Sequence, residues 1–250
     1  QDPASGESYF HLGVSEGVSK QNFYDHYSIL THNLFGCPET KIWTATPSTF
    51  TSASVTDNGT SLTVNAGVTG CDIAVSSGNN GAGYYLVAHN VTSYNFTTTV
   101  RPLYVVITKH NYLPYTVVTG GTFTSNEYWF GNMKVLGSIT VNSGYTLIIN
   151  PSTTISFANG ASLVVNGVLN ANATSTQPIT FTSAVSNWSG IVLSGSGANN
   201  SQLTYTTINN VLTYGGAALI VNGATGVTID HCTISYNALY GTSGISLINA

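Results

Sequence analysis

Between residues 139 and 165 the apolar residues fall in pairs two positions apart, Ile139/Val141, Leu147/Ile149, Ile155/Phe157 and Leu163/Val165, each pair beginning eight residues after the one before. Gly, Asn and Ser fill the gaps. Two apolar residues with one residue between them form the inner face of a short extended strand, because successive side chains of a strand point to opposite sides. A sandwich asks for longer strands and hairpin turns, whereas strands of three to five residues joined by tight polar corners, about three to a rung of roughly 20 to 27 residues, build a β-solenoid. With looser spacing the pattern runs on through Ile179/Phe181, Ile191/Val192, Leu203/Tyr205, Leu219/Val221, Val227/Ile229 and Ile245/Leu247.

Upstream the pattern is different. Residues 41 to about 120 alternate over longer stretches, "KIWTAT", "SLTVNA", "CDIAVSS", "YYLVAHN", "SYNFTTTV", "LYVVITK" and "YTVVTG", split by "DNG", "GVTG", "GNNGAG" and "RP". Short strands with a turn signal about every ten residues predict an antiparallel sandwich. Residues 1–40 hold Val18, Phe23, Tyr27 and Leu30 near helical spacing before Gly36 and Pro38, too little chain to fold alone. The expected order is a junction segment over 1–40, a sandwich over 41–121 and a solenoid over 122–250, an all-β protein.

Composition removes several functions. Only 14 of 250 residues are charged, net charge is −4, and no Lys or Arg follows Lys134, so no patch tracks the phosphates of a nucleic acid. No run of 18 apolar residues exists to span a membrane. Cys37, Cys71 and Cys232 lie far apart without metal-ligand spacing, leaving at most one bridge and one odd thiol. Cys37 is expected to be a junction thiol, either bridged to Cys71 or free. Six Asn-x-Ser/Thr sequons, at Asn58, Asn90, Asn95, Asn172, Asn187 and Asn199, are about what a chain this rich in Asn, Ser and Thr contains by chance.

Solenoids host polysaccharide lyases and glycosidases, whose chemistry requires a pair of carboxylates, or a base with acidic cation ligands or a cationic clamp. Beyond residue 134 the sole carboxylate is Asp230. The sequence "VTIDHCTISYN" reads as one strand of a rung, with His231 and Cys232 on opposite faces and Cys232 stacked inside. His11, His26, His32, His89 and His110 are scattered without metal spacing. Thr97–Thr99 and Thr206–Thr207 are candidates for a flat threonine array that binds ice or glycan, though such residues more often just cover an uncharged strand face. No catalytic residue, metal or cofactor is expected.

"HNLFGCPETKIWTATP", followed by a sandwich ending in "ITKHNYLPY", resembles the junction in gingipain-type cysteine peptidases, where a caspase-like catalytic domain runs into an immunoglobulin-like domain. Asn33, Leu34, Gly36, Pro38 and Glu39 match that pattern, and Cys37 stands where Asp is usual. The resemblance covers residues 10 to 120 and implies an immunoglobulin-like sandwich. The family's catalytic His and Cys lie upstream of the junction, and no stretch here resembles the sequence around either. "ITVNSGYTLIINPSTTISFANGASLVVNGVLNA" and "NWSGIVLSG" are similar to right-handed parallel β-helices of secreted bacterial surface proteins.

The expected protein is therefore a non-catalytic extracellular structural or adhesive segment. The rival readings are a processed C-terminal part of a gingipain-type peptidase and a glycan-binding β-helix. "GISLINA" closes the chain in mid-pattern, which fits either a piece of a longer protein or an open rung that stacks on another subunit. Ile245 and Leu247, with Phe23, Tyr27 and Phe35 of the junction, are the candidates for self-association or for contact with neighbouring domains of the same protein; glycans are the other expected partner.

Overall fold

The computed structural model describes residues 45–78, 84–183, 187–212, 216–235 and 243–250. Phe23, Tyr27, Phe35 and Cys37 lie outside them. The described chain begins with seven strands: β1 (Ser54–Asp57), β2 (Ser61–Asn65), β3 (Cys71–Ser76), β4 (Tyr84–Val91), β5 (Ser93–Thr97), β6 (Tyr104–Thr108) and β7 (Tyr115–Val118). They form two antiparallel layers, in the orders β1-β2-β5 and β4-β3-β6-β7. Alternation explains the packing: Leu62 and Val64 point inward from one layer, and Ile73, Val75, Val105, Ile107 and Val117 from the other, into one buried cluster. The strand expected at "KIWTAT" is not seen in its described part, since Ala45 and Thr46 belong to no strand, and the first strand is "SVTD" instead. Asp57 at its end forms a two-pronged ion pair with Arg101, Nε to Oδ2 at 2.8 Å and Nη2 to Oδ1 at 2.5 Å. That guanidinium holds the Asp57 carboxyl below its ordinary range.

The sandwich does not stop where the solenoid begins. β7 pairs antiparallel with β6 on one side and parallel with β10 (Asn132–Val135) on the other, so a single nine-stranded sheet crosses from one architecture to the other. Adjacent residues of β7 serve both cores: Val117 faces the sandwich and Val118 the solenoid. β8 (Gly121–Phe123) itself straddles the boundary expected between residues 121 and 122.

From β7 onward three parallel sheets are laid down in rotation. Sheet I takes β7, β10, β13 (Thr154–Phe157), β16 (Ile179–Ser183), β19 (Thr206–Asn209) and β22 (Thr233–Ser235). Sheet II takes β8, β11 (Ile139–Val141), β14 (Leu163–Val165), β17 (Ile191–Ser194), β20 (Ala217–Asn222) and β23 (Ser243–Ile248). Sheet III takes β9 (Glu127–Trp129), β12 (Thr146–Ile149), β15 (Val168–Asn172), β18 (Gln202–Thr204) and β21 (Thr228–Asp230). Register stacks like on like. Met133, Ile155, Phe181, Ile208 and Ile234 form one inward column of sheet I, with steps of 22, 26, 27 and 26 residues. Ile139, Leu163, Ile191, Leu219 and Ile245 form another in sheet II.

Corners are close-packed backbone. A methyl group on Gly167 would lie 2.1 Å from the carbonyl oxygen of Tyr145, and one on Gly197 would lie 2.0 Å from that of Asn166, so no larger residue fits either turn. At the corner from sheet III to sheet I the left-handed positions are Gly131, Ser152, Tyr205 and His231. "VTIDHCTISYN" is therefore two strands with a turn at His231 (φ 49°), not the single strand that alternation suggests. The strain of a non-glycine residue there is offset by ring stacking, since Tyr205 and His231 lie 4.6 Å apart on successive rungs.

The first rung is closed by the sandwich. Tyr104 of β6 lies over Phe123, ring centres 6.1 Å apart, and its hydroxyl accepts a hydrogen bond from Trp129 Nε1 (2.9 Å) and donates one to Glu127 Oε2 (2.9 Å). Ser125 Oγ donates to the other carboxyl oxygen at 2.7 Å. Glu127 is buried at the head of a column continued by Leu147 and Leu169, where only these donors make a carboxyl group tolerable. Burial pushes the Tyr104 hydroxyl far above its ordinary range, so it stays a donor.

Candidate functional site

In sheet I the residues between the buried ones face outward, and register lines them up in two rows. One row is Asn132, Thr154, Thr180, Thr207 and Thr233; the other is Lys134, Ser156, Thr182, Asn209 and Ser235. All are half-buried or exposed. Parallel pairing sets such side chains about 4.8 Å apart between rungs and about 6.6 Å apart along each strand. The result is a broad face of hydroxyls and amides, positively charged at its head, where Lys134 lies.

At that head the sandwich forms a ledge. Tyr115 and Thr116 of β7, the Leu113–Pro114 turn, and Thr49 and Phe50 border a groove of about 240 Å³ whose floor is Asn132, Lys134, Thr154 and Ser156. The Lys134 ammonium sits 4.8 Å above the centre of the Tyr115 ring. Phe50 holds the aromatic wall in place, its ring 4.8 Å from that of Tyr112 and 6.5 Å from that of Tyr115. The groove thus pairs an aromatic wall with hydroxyl, amide and ammonium groups, the mixture that grips a polar ring compound. Sheet III offers a plainer face: Tyr128, Ile148, Asn170, Gln202 and Thr228 in one outward row, with Phe130 exposed beside its head.

The titratable groups are dispersed. Asp57 is tied to Arg101, Glu127 is buried in the solenoid core, Asp72 lies on the sandwich with its Oδ1 3.2 Å from His89 Nδ1, and Asp230 meets His231 Nδ1 at 2.8 Å on the last described corner of its kind. Among the described residues no three of His, Cys, Asp and Glu gather as a metal site. Cys232 packs against the solenoid core and its thiol donates to the carbonyl of Leu203 (3.3 Å), while His231 points into solvent, so the two are turned apart. Cys71 is a buried free thiol bonded to the Val68 carbonyl at 3.3 Å; Cys37, expected to be either bridged to it or free, lies outside the described residues. Burial pushes both described thiols up. Lys109 donates to the Thr69 carbonyl at 2.7 Å.

Of the residues expected to serve assembly, Ile245 and Leu247 are exposed on β23, and Phe23, Tyr27 and Phe35 are not described. The threonine array was only half legible. Thr206 is buried, whereas Thr207 joins an outward row with Thr154, Thr180 and Thr233, which are not its sequence neighbours. A signal was present: Thr-x-Ser, Thr-x-Thr, Thr-x-Asn and Thr-x-Ser recur at β13, β16, β19 and β22. The Tyr115 groove left no such mark, because its walls come from residues 49 to 156.

No described helix is long and apolar enough to cross a membrane. No curated protein and no solved structure matches the chain. Residues 121–238, just under half of it, match the family described as the pectate-lyase-like beta helix domain, and they run from β8 to just beyond β22. That family includes enzymes, and the match assigns no catalytic residue. By fold and by family match, the segment from residue 121 is similar to the pectate-lyase-like β-helices.

Proposed function

We propose that this chain is a non-catalytic extracellular β-helix protein that binds uncharged glycan in the groove between the Tyr115 ledge and the outer face of sheet I. The groove's composition carries this reading: one aromatic wall, a floor of Asn132, Thr154 and Ser156, and a single ammonium. An aromatic face packs against the C–H face of a sugar ring while hydroxyls and amides bond its rim. A polyuronate would need a row of cations, and the rungs beyond Lys134 supply none. Absence of catalysis is supported by the dispersal of the four described carboxylates, each engaged by a different partner or buried. The strand orders 1-2-5 and 4-3-6-7 support an immunoglobulin-like sandwich. Descent from a gingipain-type tail is supported by the sequence resemblance alone.

Affinity electrophoresis in gels containing xyloglucan, glucomannan or polygalacturonate tests this. Retardation is expected with a neutral polymer and not with polygalacturonate, and Tyr115→Ala and Ser156→Lys should each weaken it about tenfold, about 1.4 kcal/mol. Equal retardation of both variants, or release of shortened or unsaturated sugars by the wild-type chain, would overturn the proposal.

A structural role by self-association is favoured by a second observation. β23 exposes Ile245, Leu247 and Ile248, with Leu247 69% exposed, beside a cavity of about 370 Å³ walled by Val221, Val227 and Ile229. A further parallel strand, whether of the same protein or of another copy, would cover them by backbone pairing and apolar contact. Association of this kind should persist at high salt and be abolished by Ile245→Lys, as read by sedimentation velocity and electron microscopy. A wild-type chain that stays monomeric at high concentration would exclude it.

A further inference from the structure

Six sequons carry no weight as a count, but the structure separates them. Ser201, the hydroxyl residue of the Asn199 sequon, is fully buried and donates to the Ala198 carbonyl, and Asn199 Oδ1 accepts from the Thr225 N–H at 2.8 Å. The Asn187 sequon has Trp188 at its centre, sunk in the core. Asn172 Nδ2 donates to Gln202 Oε1 on the next rung. Asn90 and Asn95 are exposed but lie within β4 and β5. Asn58 differs from all of these. It lies exposed in the β1–β2 hairpin, Thr60 is exposed beside it, and around Gly59 between them there is open space.

We propose that Asn58 is an N-glycosylation site. Its Oδ1 accepts three hydrogen bonds, from Thr60 N–H (3.0 Å), Thr60 Oγ1 (3.1 Å) and Ser61 N–H (2.7 Å). Those donors stabilise the negative charge that Oδ1 acquires as Nδ2 gives up a proton, which makes Nδ2 a competent nucleophile. The co-reactant is a polyprenyl-phosphate-linked saccharide presented by a transferase. The bond from Nδ2 to the anomeric carbon forms while the bond from that carbon to the phosphate oxygen breaks. The bonding pair leaves on the lipid phosphate, and the Nδ2 proton passes to a base of the transferase. A glycan attached there projects from the hairpin tip without displacing a packed side chain, whereas one at Asn199 or Asn187 would require its rung to open. It would also hydrate a surface that has few charges of its own.

The inference rests on export of the chain, as proposed above, and one experiment separates the two. The protein is recovered from the medium and from the cell interior of its native cells, and its peptides are weighed by mass spectrometry before and after glycosidase treatment. Exported chains should carry saccharide on the peptide containing Asn58, and bare peptides at Asn187 and Asn199. Asn58→Gln and Thr60→Val should remove the glycopeptide completely, and Thr60→Ser should retain it, with circular dichroism unchanged in all three. Exported chains with bare Asn58 would overturn the glycosylation alone. Chains found only inside the cell would overturn both export and glycosylation.

Discussion

Trp188→Ala should be among the most damaging single substitutions in the solenoid, lowering its unfolding free energy by about 3–5 kcal/mol. The indole is fully buried at the corner between β16 and β17 and stacks on Phe157 of the preceding rung at 4.4 Å with a 10° tilt, with Phe181 of its own rung 6.5 Å away. Its Nε1 donates to the Asn209 carbonyl at 2.8 Å, and its backbone bridges to Val211. Truncation therefore opens a cavity shared by several rungs and leaves a carbonyl without its donor. In a stack whose stability is the sum of each rung and its contacts with neighbours, a fault in a middle rung weakens the contacts on both sides. Guanidinium denaturation followed by far-ultraviolet circular dichroism should show the loss, with Trp188→Phe intermediate because it restores stacking but not the hydrogen bond. A midpoint shift no larger than that of a surface substitution would mean that the rungs do not depend on this column.

Tyr104→Phe should cost about 2–4 kcal/mol although it removes a single oxygen. The ring still covers Phe123, so the effect isolates the polar network: Glu127 Oε2 loses its donor and Trp129 Nε1 its acceptor, both in the buried joint between sandwich and solenoid. A double variant, Tyr104→Phe with Glu127→Leu, should recover part of the loss, because Leu at 127 extends the column of Leu147 and Leu169 and removes the stranded carboxyl group. Denaturation of the three variants under one set of conditions measures this coupling. A single variant that costs under about 1 kcal/mol, or a double variant weaker than the single, would show that the network is not what secures the joint.

Much of the solenoid was written in local alternation. Ile139/Val141, Leu147/Ile149, Ile155/Phe157 and Leu163/Val165 are all buried, because the inward or outward sense of a strand residue depends only on its parity within its own strand. Six of the seven sandwich strands could be read for the same reason. β1 could not: "SVTD" has one apolar residue, and its acidic end finds a partner in Arg101, 44 residues away. Glu127 shows the same limit, since its neighbours in sequence promise a solvated turn and only Tyr104, from the other architecture, makes its burial tolerable.

The sequence by itself determined that the chain is all-β, where most of its inward pairs lie and that its later half has almost no charge, because strand parity and composition are properties of short windows; Val192 and Tyr205, read as inward, instead face outward and sit on a corner. Tertiary structure alone decided which rung residues share an outward row, which corner takes a left-handed residue, and that β7 serves two cores at once. Those depend on register between strands 17 to 27 residues apart in sheet I, and register is settled by stacking and backbone pairing across rungs, which no window of sequence contains.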